Sequence, residues 1–100
     1  MQIQVNFGDI DHSDPVAEHV NASVESALAR FADRITRVEV HLRDDKSGRK
    51  GPDDHRCLME ARLAGEKPLA VDAKAMDIYQ AISECAAKLE HAVRRKVERQ

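Results

Sequence analysis

Cys57-Leu-Met-Glu-Ala-Arg-Leu63-Ala-Gly-Glu-Lys67-Pro-Leu69-Ala-Val-Asp-Ala73 decides how this chain folds. Cys57, Met59, Ala61 and Leu63 alternate with Leu58, Glu60 and Arg62, the period of a strand with one buried side. Ala64-Gly65-Glu66-Lys67 predicts a tight turn, after which Leu69, Val71 and Ala73 resume the alternation with Asp72 and Lys74 outside. Two strands joined by so short a turn pair antiparallel.

Working outward, Val38, Val40 and Leu42 alternate with Arg37, Glu39, His41 and Arg43 as a preceding strand. Ile3, Val5 and Phe7 alternate with Gln2, Gln4 and Asn6 as the first strand of the chain. Between these two, Asp14-Pro15 has the form of an N-cap followed by proline at the first helical position. Val16, Val20, Val24, Ala27, Phe31 and Ile35 then recur at helical spacing, which predicts a helix from about Pro15 to Asp33. Downstream, Ile78, Ile82, Cys85, Leu89, Val93 and Val97 share one face of a second helix. A right-handed crossover makes the first two strands parallel. The expected fold is therefore α+β: a two-layer sandwich in the order β-α-β-β-β-α, with a four-stranded mixed sheet and two helices on one face. The outer sheet face should be charged and wet.

The 100 residues suffice for one core and are expected to form a single domain, 1–100. No apolar run approaches the ~20 residues that span a bilayer. The opening Met1-Gln-Ile-Gln-Val lacks a basic segment leading into an apolar one, so the expectation is a cytoplasmic protein with no membrane contact. Cys57 and Cys85 fall at core positions, where buried reduced thiols are expected.

Net charge is −2, but its distribution is uneven. No Lys or Arg precedes Arg30, whereas Asp9, Asp11, Asp14, Glu18 and Glu25 are acidic. From Lys88 onward Lys88, Arg94, Arg95, Lys96 and Arg99 face only Glu90 and Glu98. Lys88, Arg95 and Arg99 project from one flank of the apolar seam, while Lys96 lies close enough to it to snorkel. Cations at a helix C-terminus are stabilising in themselves, and equally they form a surface for phosphate. On the helix alone both readings stay open.

Catalytic chemistry finds no support. His12, His19, His41, His55 and His91 are scattered over different elements without metal spacing. Ser13, Ser23 and Ser26 form no triad, and Gly48-Arg-Lys-Gly51 lacks the strand-to-helix context of a phosphate loop. With 3% aromatic residues a base-stacking platform is not expected, and Tyr79 reads as a packing residue. No cofactor, metal or small-molecule substrate is implied.

The element order, together with Asp77-x-Tyr79-x-Ala81-Ile82, Lys88-Leu89 and Arg94-Arg95-Lys96, resembles the short ribosome hibernation-promoting factors, also called the ribosome-associated inhibitor family. The opening strand and the apolar spacing of the first helix are similar too. This resemblance implies binding to the small ribosomal subunit near the channel for messenger and transfer RNA, silencing idle ribosomes under stress. It also implies that basic side chains on both helices contact ribosomal RNA. On the second helix these are Lys88, Arg94, Arg95, Lys96 and Arg99; on the first, Arg30 and Arg34 are the candidates, fewer than the family usually shows. The flank His19, Ser23, Ser26 and Arg30 is free of carboxylates and is a further surface for phosphate. The chain resembles a short form, without the C-terminal dimerisation domain of long forms. Its loop from Arg43 to Arg56 is longer and more charged, offering Lys46, Arg49 and Lys50 as contacts against four Asp residues. The alternatives are a non-ribosomal RNA-binding module or a protein-interaction module on the same fold.

Overall fold

The computed structural model describes residues 1–8, 10–44 and 55–99. Strand β1 (Gln2–Asn6) is followed by helix α1 (Asp14–Leu28) and a 3-10 segment (Ala29–Arg34), then strand β2 (Ile35–Asp44). Strands β3 (His55–Leu63) and β4 (Leu69–Ala75) lead into helix α2 (Ile78–Glu98). The sheet order is β1-β2-β3-β4, with β1 parallel to β2 and the remaining neighbours antiparallel. This is the expected α+β sandwich. The Lys46, Arg49 and Lys50 loop contacts lie outside the described residues.

Register follows the apolar alternation. Ile3 stands beside Val38 and Val5 beside Val40, while Val40 meets Met59 and Leu42 meets Cys57. A one-residue slip would turn this whole set to solvent. Between β3 and β4, Gly65 adopts φ +76°, a conformation that costs a side-chain-bearing residue.

The core lies between the sheet and the helices. Val20, Val24, Leu28, Val38, Val40, Leu42, Met59, Ile82, Leu89 and Val93 are fully buried, and no polar or charged residue is buried among the described ones. Ile78 and Val97, at the two ends of the α2 seam, are partly buried against this core. Ala81 and Ala86 join the seam from positions that hydropathy spacing passes over.

Two sequence expectations need correction. The N-cap of α1 is Ser13, not Asp14: Ser13 has extended backbone and its Oγ accepts from the Val16 amide at 3.4 Å. Asp14 instead occupies the first turn and accepts from His12 Nε2 at 2.7 Å. Ser13→Ala should therefore cost about 1 kcal/mol, or roughly 4–8 °C in Tm, and Asp14→Ala distinctly less by thermal melting. The second correction concerns the end of that helix. Past Leu28 the chain tightens into the 3-10 segment, and Ile35 is the first residue of β2. One 3-10 turn keeps Phe31 buried, as an α-helical turn would, so apolar spacing does not separate the two.

Cys57 and Cys85 are free, buried thiols; Cys85 Sγ–H points at the Cys57 carbonyl (3.4 Å) and the Val71 carbonyl (3.6 Å). The Cys57 thiol is pushed far above the ordinary thiol range, first by hydrogen bonding with Cys85 and then by burial. A raised folded-state pKa holds stability in full below the unfolded value and loses it above, by about 1.4 kcal/mol per pH unit. Urea denaturation should thus show stability falling above about pH 9. In Cys57→Ala that extra loss should shrink relative to wild type.

Candidate nucleic-acid interface

Helix α2 starts cleanly because Asp77 has extended backbone and its Oδ1 accepts from the Tyr79 amide at 2.7 Å. Its neighbour α1 runs parallel to it. His19 near the start of α1 donates from Nε2 to the Tyr79 carbonyl (3.1 Å) and lies 2.9 Å from Ser83 Oγ. One turn on, Ser23, Ser26 and Ala27 face Ser83, Ala86, Ala87 and Glu90 across a shallow groove of about 370 Å³. The start of the carboxylate-free flank of α1, His19 and Ser23, is therefore turned toward α2, while Ser26 and Arg30 are exposed. His19 is spent on the helix–helix contact, Ser23 lies 3.5 Å from His19 Nε2 within α1, and both Ser23 and Ser26 border the groove.

Parallel helices bring their C-terminal ends together. The 3-10 segment carrying Arg30 and Arg34 extends α1 toward the end of α2 where Arg94, Arg95, Lys96 and Arg99 lie. The β3–β4 turn closes the same end: the Ala64 amide donates to the Arg34 carbonyl at 3.1 Å, and Lys96 Nζ pairs with Glu66 at 3.3 Å. That turn also carries exposed Lys67, which no helical spacing could have linked to the basic stripe.

The cations at this end differ in their freedom. Arg94 is engaged by Glu90 at 2.7 Å within its own helix, and its Nε is buried without a partner. Lys96 is half-buried and reaches back over the apolar seam to Glu66. Lys88 Nζ donates to the Asp72 carbonyl at 2.9 Å and so ties α2 to the edge strand β4. Arg30 is exposed, its guanidinium 5.6 Å from the Phe31 ring centroid, and Arg34 is exposed beside it. Arg95 and Arg99 are exposed and have no ion-pair partner among the described residues.

Arg30, Arg34, Arg94, Arg95, Lys96 and Arg99 thus gather at one end of a β-α-β-β-β-α domain, beside Asp33, Glu66, Glu90 and Glu98. Residues 3–100 match the family described as sigma 54 modulation protein / S30EA ribosomal protein. The chain belongs to this family. The S30EA match covers both helices and all four strands, so the basic helix ends and the turn fall within it. Among solved structures, a ribosomal subunit interface protein from Coxiella burnetii is similar at 20% identity. It covers 98% of this chain and 99% of its own, with a TM-score of 0.78. The N-terminal domain of Thermus thermophilus Protein Y is similar at 21% identity over 95% of this chain and 98% of its own, with a TM-score of 0.74. At these identities the likeness establishes the shared fold. No curated protein matches this S30EA chain in sequence.

Among the described residues no group of three or more His, Cys, Asp or Glu could hold a metal ion. Among the described residues no helix is long and apolar enough to cross a membrane.

Proposed function

We propose that this S30EA-family protein is a ribosome hibernation factor of the cytoplasm. In this reading it binds the small ribosomal subunit through ribosomal RNA phosphates and acts by occupancy, blocking the messenger and transfer RNA channel under stress. The observation that carries the reading is the convergence of the α1 and α2 ends, with the β3–β4 turn, into one cationic surface on a rigid domain. RNA in a folded particle is bound mainly through phosphate and shape, for which fixed cations suffice. Arg95 and Arg99 supply charge with no ion-pair partner among the described residues, Arg30 and Arg34 extend the surface from α1, and Lys88, Arg94 and Lys96 set its edges. The names of similar proteins, a subunit interface protein among them, agree with this reading.

Co-sedimentation with purified ribosomal subunits across a salt series tests it. The expected result is binding to the small subunit that weakens steeply with salt and competes with messenger or transfer RNA. No binding at low salt would refute the proposal and point to a surface reassigned to a protein partner.

A further inference from the structure

The outer face of the sheet is ordered in cross-strand rows of charge. Toward the β3–β4 turn, Arg37 stands beside Arg62 and the next row sets Glu39 beside Glu60. These two rows neutralise each other along the strands, Arg37 with Glu39 at 3.6 Å and Arg62 with Glu60 at 3.5 Å. At the other end of the sheet Arg43, Arg56 and Lys74 stand side by side on β2, β3 and β4. Among the described residues one carboxylate reaches this row: Asp72, which accepts from Arg56 Nη2 at 2.8 Å and Nε at 3.2 Å. Asp44, next to Arg43 in the chain, is held by His55 at 2.6 Å. Arg43 and Lys74 are exposed and have no ion-pair partner among the described residues.

Like charges directly opposite on neighbouring strands are destabilising. Three cations in register, against one carboxylate among the described residues, therefore weaken the sheet unless an anion lies over them. The row is also the right size for a polyanion, since two interstrand steps of 4.7–4.9 Å span roughly 10 Å. Beside it opens a pocket of about 120 Å³ lined by His41, Arg43, Arg56 and Leu58. At ~30 Å³ per water, that is room for a phosphate group. Leu58, half-buried on an otherwise polar face, supplies an apolar floor on which a sugar can rest.

We propose that Arg43, Arg56 and Lys74, with His41 and Leu58, form a second RNA-phosphate site. It lies on the sheet face away from the helices and at the opposite end from the α1 and α2 C-termini. It recognises the sugar–phosphate backbone and carries no base-reading group. The domain then holds RNA on two faces, which goes beyond an interface made by the helices alone.

The test is an NMR titration of the ¹⁵N-labelled full chain with single-stranded oligouridylate at low salt. Amide signals of His41, Arg43, Arg56 and Lys74 should shift saturably. In Arg43→Gln with Lys74→Gln, affinity should fall about tenfold. The salt slope of log K should drop by roughly 1.4, for two phosphates at ~0.7 each. Relief of like-charge repulsion should also raise the Tm of this variant by about 2–4 °C. Shifts confined to the Arg95–Arg99 end, or an unchanged slope in the variant, overturn the site. Failure of the ribosome reading is distinct: the wild type would then bind oligouridylate through this row yet not sediment with ribosomal subunits.

Discussion

Leu89→Asp should leave the chain unfolded at pH 7 and 25 °C. Leu89 is fully buried on the α2 seam, between the Cys85 and Val93 turns of the same helix. Removing its side chain alone, as in Leu89→Ala, costs about 2–5 kcal/mol in transfer and cavity terms. The carboxyl adds desolvation, because no polar or charged residue is buried among the described ones to pair with it. The combined loss exceeds about 5 kcal/mol, comparable to the whole stability of a domain this size. Far-UV circular dichroism and loss of amide dispersion read the outcome. Burial raises the pKa of the new carboxyl, so its penalty sets in as pH rises through the unfolded Asp value of about 3.9 and is complete only above the raised folded value. Acid should return part of the structure. A folded, cooperative Leu89→Asp protein at pH 7 would mean that α2 is not docked on the sheet as described.

Most of the fold was legible because apolar spacing and packing agree at almost every element. Strand alternation around Cys57–Leu63 and Leu69–Ala73 set the hairpin, and both are paired antiparallel strands. What period alone could not settle was the exit from α1. Phe31 and Ile35 fit a helical stripe, yet Ile35 is a strand residue and Phe31 sits in a 3-10 turn. The start of α1 was misplaced by one residue because Asp and Ser are comparable caps, and backbone extension at Ser13 decides between them.

The site was legible in charge but not in partnership. The sequence places Arg94, Arg95, Lys96 and Arg99 in one run, and an α-helix then splits the run by about 100° per residue. Arg94 falls toward Glu90 and Lys96 toward Glu66, whereas Arg95 and Arg99 stay exposed. Lys96's link to Glu66 joins residues thirty apart in sequence through the β3–β4 turn, which only the packed fold brings near. The same holds for Lys67, and for the row of Arg43, Arg56 and Lys74, whose alignment depends on the register of three strands. The flank of α1 divides for a related reason. The neighbouring helix runs parallel and engages His19, whereas Ser26 and Arg30 stay exposed, a split that depends on the direction of that helix.

Arg95→Glu with Arg99→Glu should then be the variant that separates binding from folding. Both side chains are exposed and have no ion-pair partner among the described residues, so reversal breaks no contact there; the cost is the loss of favourable cations at the helix end, ~0.3–1 kcal/mol each. Tm should fall by no more than several degrees. Binding carries the larger effect. A charge-assisted phosphate contact is worth about 1.5–3 kcal/mol, and a reversed charge adds repulsion where attraction stood. Two such sites give a loss on the order of 4 kcal/mol, or about 1000-fold in affinity for ribosomal subunits. The salt slope should fall by about 2, one for each phosphate no longer neutralised. Arg94→Gln is the internal comparison: it also removes a cation from the same turn, but one that Glu90 already compensates, so its effect on the salt slope should be much smaller. Losses in proportion to the charge removed, four units in the double reversal against one in Arg94→Gln, would show that total charge governs binding. Unchanged binding in the double reversal would remove the helix end from the interface altogether.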